Sequence, residues 1–137
     1  MQKILAAIDF SDVTEAVLQK TLALTLAFEA RLCIIHAEPE GNQYAREEDN
    51  EEFRAELNHK IDKVRKIFAE KKVFPYFKES TGWPAKCILA ECDRFQPDLL
   101  VMGSHRHNSI VHMLGMHIRE EMLLKAPCPV LFVHPDD

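Results

Sequence analysis

The hydrophobic pattern alternates two kinds of segment. Short, nearly continuous apolar runs are separated by longer stretches in which apolar residues recur at three and four. Ile4–Ile8 is the first run and ends at Asp9. Ser11-Asp12-Val13-Thr14-Glu15 then carries an N-cap pattern, a Ser or Asp followed three residues on by an acid. Ala16, Val17, Leu22, Ala23, Leu24, Leu26 and Ala27 predict the wide apolar face of a helix packed on a sheet. Leu32–Ala37 predicts a second buried strand. Phe53, Leu57, Ile61, Val64, Ile67 and Phe68 predict a long helix over 51–72. Phe74–Glu79 predicts a shorter strand, and Pro75 places it at an edge. Gly82-Trp83-Pro84 opens a helix with proline in its first turn, running to Phe95. Leu99–Met102 is a strongly apolar strand ending at Gly103. A helix over Gly115–Lys125 leads through Pro127-Cys128-Pro129 to a last strand, Val130–Val133.

The order βαβαβαβαβ, with continuous rather than alternating apolar strands, predicts an α/β fold: a parallel sheet covered by helices on both faces. Right-handed crossovers follow. The 137 residues suit a single domain over 1–137. No apolar run reaches the roughly 18 residues of a membrane span, and the run before Asp9 is too short for a signal peptide. Cys33, Cys87, Cys92 and Cys128 lie in apolar surroundings without the spacing of a disulfide scaffold. They read as reduced thiols of a reducing compartment, which makes the expected location cytoplasmic.

Charge sharpens the picture. Between Glu38 and Glu56 stand eight acids against two arginines, an excess larger than the net charge of −5 of the whole chain. The remainder is near neutral and offers no basic stripe, so nucleic acid is not an expected partner. The acidic stretch itself reads as a solvated loop and helix start.

In an open parallel sheet a ligand sits beyond the carboxyl ends of the strands, where the strand order reverses. If the order is 3-2-1-4-5, that crevice lies between the ends of strands one and four, at Asp9 and Gly103. Asp9 has two readings. It can face the crevice and accept bonds from a ribose or base, or it can cap the following turn. Glycine after a strand lets backbone amides approach phosphate, and Gly115 opens a helix whose N-terminus adds a positive end. Gly103 also reads as a plain turn. His105, His107, His112 and His117 cluster in one polar stretch but lack a tight ligand pair at helical spacing, so no metal is expected. His36, inside an apolar strand, reads as a core histidine. No Ser-His-Asp order, paired carboxylates or Walker loop is present, so no catalytic residue can be named and the chain is not expected to be an enzyme.

Several of these segments, in order, resemble one family. Val101-Met102-Gly103-Ser104, then Gly115, then Ala126-Pro127-Cys128-Pro129-Val130-Leu131 look like the C-terminal signature of the universal stress proteins. Ala7-Ile8-Asp9-x-Ser11 resembles that family's first strand and turn, Ile35-His36-Ala37 its second strand, and Gly82-Trp83-Pro84-Ala85 the start of its third helix. The resemblance implies a single open five-stranded parallel sheet in the order 3-2-1-4-5, of the Rossmann-like, adenine-nucleotide alpha-hydrolase-like type. It implies a stress-response role and homodimers joined through Pro129, Val130, Leu131, Phe132 and Val133. In one subclass it implies ATP binding, with Asp9 meeting the ribose, Ala37 the adenine edge and Gly103 the phosphates. Met102, His105, Arg106, Gly115 and Met116 complete the candidate nucleotide site.

That subclass carries Gly-x-x-Gly, nine residues, then Gly followed by Ser or Thr. Here Arg106 replaces the second glycine, Met116 replaces the hydroxyl residue, and the spacer is one residue shorter. A non-glycine at a positive φ costs roughly 1–2 kcal/mol, and a lost hydroxyl-to-phosphate bond roughly 1.5–3 kcal/mol. Together these turn a micromolar site into one near millimolar. The expectation is therefore a non-catalytic, homodimeric stress-response protein with a vestigial or weak crevice. It requires no cofactor, binds ATP or AMP weakly if at all, and serves a protein partner the sequence does not identify. The alternative is a genuine ATP- or AMP-binding switch, and behind it a weak nucleotide hydrolase. No membrane partner is expected.

Overall fold

The computed structural model describes residues 1–38, 47–104 and 118–135. Their order is β1 (Lys3–Ile8), α1 (Thr14–Phe28), β2 (Arg31–Glu38), α2 (Glu47–Glu70), β3 (Tyr76–Thr81), α3 (Pro84–Phe95), β4 (Leu99–Gly103), α4 (Ile118–Lys125) and β5 (Val130–Val133). The five strands form one parallel sheet in the order β3-β2-β1-β4-β5, as the resemblance implied. Among the described residues no helix is long and apolar enough to cross a membrane.

The continuous apolar runs arise because the central strands are buried on both sides. In β1 the side chains divide by alternation: Ile4, Ala6 and Ile8 join one core cluster, and Leu5 and Ala7 the other. The first cluster is closed by α1 and α2 through Val17, Val64 and Phe68. The second is closed by α3 and α4 through Ala85, Ile88, Cys92, Phe95 and Met122. Gly82, at φ 138°, makes the turn out of β3, a backbone region that only glycine adopts without strain. Trp83 caps α3, and Pro84 takes the first helical position, where its missing N–H costs nothing.

Several expected details shift. The helix after β1 is not capped by Ser11 or Asp12, because Val13 is its N-cap residue and makes no side-chain cap bond. Its fully buried positions are Thr14, Val17, Thr21 and Thr25, while Ala16, Leu22 and Leu24 pack against the same core only partly buried. Leu26 stays 45% exposed. Threonine is short and β-branched, so the helix can sit close to the sheet on that face. In α2 Leu57, Ile61, Val64 and Phe68 are buried, but Phe53 and Ile67 are exposed, and the helix starts at Glu47, inside the acidic stretch. β3 begins two residues later than its apolar pattern suggests, leaving Phe74 79% exposed and Pro75 outside the ladder. A buried carboxylate was not foreseen. Glu91, 3% exposed on the inner face of α3, pairs with Arg94 and accepts the Cys33 thiol at 3.9 Å. Burial, with the Glu91 charge adding to it, pushes the Cys33 thiol up to about 12.

Candidate functional site

The last paired residues of the two central strands are Ala7 and Met102. Beyond them the chain leaves β1 toward β2 and leaves β4 toward β5, so the ends separate into a crevice at the reversal of strand order. Asp9, Ala37, Met102 and Gly103 all fall at this end of the sheet. Ala37 is the penultimate residue of β2, and Met102 and Gly103 close β4. His105, Arg106, Gly115 and Met116 lie outside the described residues.

Asp9 does cap the turn. Its Oδ1 accepts the Ser11 N–H at 3.0 Å and the Thr14 hydroxyl at 3.4 Å, spanning the bend into α1. The side chain is nonetheless exposed at the sheet end, so both of its sequence readings remain compatible. The turn is tight enough to force Phe10 into the left-handed region at φ 57°, a conformation costing a non-glycine about 1–2 kcal/mol. The Phe10 ring is thereby sent to the opposite face. There it packs on buried His36, with ring centroids 5.0 Å apart, beneath the Lys60 ammonium at 5.6 Å.

Gly103 is required by space rather than by its φ, which is not positive. A Cβ there would stand 2.4 Å from Val13 Cγ1. The β1–α1 turn thus lies directly against the end of β4, and this close approach forms one wall of the crevice.

The next residue adds chemistry that the sequence did not announce. Ser104 is 4% exposed, its N–H bonds the Val133 carbonyl at 2.8 Å, and its Oγ accepts Arg119 Nη1 at 3.2 Å. α4 therefore brings a guanidinium to the end of β4. The partners are fifteen residues apart in sequence, and no local pattern signals such a pair. Trp83 Nε1 donates to Glu121 at 3.2 Å, tying the start of α3 to the same helix. The crevice end thus offers a carboxylate on β1, small and apolar surface on β2 and β4, and a fixed cation on α4. Such an order suits a ligand with hydroxyl donors at one end and an anion at the other.

Other features do not converge here. A groove of about 450 Å³ lined by Asn58, Ile61, Asp62, Arg65, Phe77 and Glu79 lies between α2 and β3. No group of three or more His, Cys, Asp or Glu among the described residues is placed to hold a metal ion. Of the five residues expected at a dimer interface, Val130, Leu131, Phe132 and Val133 form an edge strand with β4 on one side only, and Pro129 immediately precedes it. The strand's side chains point to both core clusters, and Val133 is 1% exposed. What β5 leaves open is its outer backbone edge.

Comparison with known proteins agrees with this architecture. The sequence profile of the universal stress protein family matches residues 1–134. A universal stress protein of Thermus aquaticus is 28% identical over 135 residues, covering 95% of this chain and 96% of that protein. The solved universal stress protein UspA from Lactobacillus plantarum superposes with a TM-score of 0.76 at 21% identity, over 96% of this chain and 97% of its own. A universal stress protein solved in complex with cAMP gives a TM-score of 0.74 at 19% identity, over 98% and 97% of the two chains.

Proposed function

The chain belongs to the universal stress protein family, and from that premise we propose that it acts by binding rather than catalysis, as a homodimer with a weak adenine-nucleotide crevice. The observation that carries this reading is the arrangement at the reversal of strand order. Asp9 stands at the end of β1, Gly103 is pressed against Val13, and Arg119 is held by Ser104. A ribose hydroxyl donates naturally to a carboxylate, and a phosphate to a guanidinium gives a charge-assisted pair. The neighbour solved with cAMP supports an adenine nucleotide as the ligand class.

Weakness follows from the phosphate end. Arg106, Met116 and the shortened spacer remove the glycine, the hydroxyl and the length that the ATP-binding pattern uses. Arg119 offsets part of that loss for a single phosphate but cannot replace a loop of backbone amides around a triphosphate. Isothermal calorimetry should give an ATP dissociation constant at or above about 100 μM, equivalent to roughly −5.5 kcal/mol. Arg106→Gly with Met116→Ser, and one residue inserted after Asn108, should tighten it. Submicromolar ATP binding by the unmodified protein would promote the second reading, a nucleotide-controlled switch, which Arg119 and the cAMP neighbour favour. Mass spectrometry of small molecules released from freshly purified protein distinguishes the two without presuming ATP.

A further inference from the structure

Four non-glycine residues among those described have a positive φ, and three of them end helices. Glu29 and Gln96 are the C-cap residues of α1 and α3, and Lys72 follows α2. Helix ends commonly turn left-handed. Phe10 is the fourth, at φ 57°, between β1 and α1, where no helix ends. A strained residue persists only where its surroundings over-determine it, and such residues gather at functional sites.

The surroundings of Phe10 come from two other elements. Its ring packs on His36, 1% exposed near the end of β2, with ring centroids 5.0 Å apart. Lys60 of α2 places its ammonium 5.6 Å from the centroid of the Phe10 ring, within reach of a cation–π attraction. Three residues further on, Val13 lies against Gly103 at the end of β4. The turn is therefore held at two points, and Asp9 stands immediately before the first. Its carboxylate accepts the Ser11 N–H at 3.0 Å and the Thr14 hydroxyl at 3.4 Å, across the segment so held.

We propose that Phe10 is a positioning residue for the crevice: its ring, anchored on His36 and Lys60, holds the strained turn and so fixes the Asp9 carboxylate where a ligand's hydroxyl groups meet it. The inference rests on the reading of the crevice as an adenine-nucleotide site, and adds how that site keeps its shape before a ligand arrives. A carboxylate on a loose turn is ordered only when the ligand binds, and that ordering is subtracted from affinity. Phe10 moves the cost to folding. Lys60 thereby acts on the crevice from a helix that carries none of the candidate site residues.

Adenosine is the probe, because it carries the ribose hydroxyls without a phosphate. NMR titration of the full-length protein should show Phe10→Ala weakening adenosine about tenfold, and Asp9→Asn doing the same. The double variant should bind no more weakly than Asp9→Asn alone, because Phe10 acts through Asp9. Phe10→Tyr keeps the ring and should restore most of the affinity. Phe10→Gly, which adopts the left-handed turn freely but has no anchor, should fall between parent and Phe10→Ala. Lys60→Gln, an exposed substitution that spares the ring, should cost about threefold. Phe68→Leu, in the same core cluster, should lower the melting temperature and leave adenosine affinity alone. Without ligand, the Ser11 amide should exchange about tenfold faster in Phe10→Ala, as its bond to Asp9 is lost. Additive losses in the double variant, parental affinity in both Phe10→Ala and Lys60→Gln, or parental Ser11 exchange in Phe10→Ala would each overturn the proposal. A parent blind to adenosine would overturn the crevice reading itself, and Ser11 exchange would then decide alone whether Phe10 holds Asp9.

Discussion

Adding one methyl group at Gly103 should destabilise the fold, and the cause can be traced to one side chain. An alanine Cβ at that position would lie 2.4 Å from Val13 Cγ1, 3.1 Å from Cγ2 and 3.3 Å from Cβ. Val13 is 2% exposed and occupies the N-cap of α1. Its β-branched side chain is stiff at χ1, and the second methyl already stands at 3.1 Å, so relief requires either a disfavoured rotamer or a shift of the turn. A shifted turn would carry with it the Asp9 bonds to Ser11 and Thr14. Overpacking of this kind costs about 1–3 kcal/mol. At roughly 3–5 °C per kcal/mol for a chain of this size, Gly103→Ala should melt roughly 3–15 °C lower. Differential scanning calorimetry on Gly103→Ala, Val13→Ala and the double variant isolates the contact. The double variant should be more stable than the sum of the single losses by at least about 1 kcal/mol. Strict additivity, or a single variant melting within a degree of the parent, would refute the steric account and leave Gly103 to be explained by ligand approach alone.

Arg94→Ala leaves buried Glu91 without its guanidinium. Because Arg94 is itself half exposed, the loss should be about 1–3 kcal/mol, read as a lower urea midpoint, and an unchanged midpoint would show that Glu91 is satisfied otherwise. Asp98 Oδ2 accepts the Gln2 and Lys3 N–H groups at 2.7 and 2.9 Å, which holds this carboxyl below the usual carboxylate range. Its folded-state value being depressed, its contribution is complete above about pH 4 and is lost as pH falls through the lowered value, so Asp98→Asn should flatten the acid limb of stability against pH. An acid limb of unchanged slope would remove Asp98 from the account. The carbonyls of Pro129 and Val133 face β4, so alternation turns the polar groups of Val130 and Phe132 outward. Val130→Pro should then convert a dimer into a folded monomer by light scattering, and a parent that is already monomeric at high concentration would count against strand-to-strand pairing. Arg119→Ala should weaken AMP binding about tenfold by calorimetry, as loss of a charge-assisted bond does, and unaltered binding would place the phosphate elsewhere.

The sequence disclosed most where a residue's environment is the same for every neighbour in its run. β1, β2, β4 and β5 are legible because covering both faces makes consecutive residues apolar, and α3 because Pro84 fixes its start. β3 has faces that are only partly covered, so its polar residues carry no such signal, and the apolar pair Phe74 and Pro75 draws its apparent start two residues early. In α1 three of the four buried positions are threonines. A hydropathy pattern ranks Leu26 above Thr25, although Thr25 is 3% exposed and Leu26 45%. The candidate site divides along the same line. Ala37 and Met102 enter it only through the family resemblance. Asp9 and Gly103 could be read because each follows an apolar run, and topology alone brings the ends of β1 and β4 together. Arg119 could not, because its place depends on how far α4 travels back over β4, a distance set by packing against α3 through Trp83 and Glu121. The carboxylate of the crevice is therefore encoded locally, in the turn that Asp9 itself closes. Its cation is encoded only through tertiary packing, so substitutions in the α3–α4 contact, Trp83 foremost, should act on ligand affinity without touching a ligand.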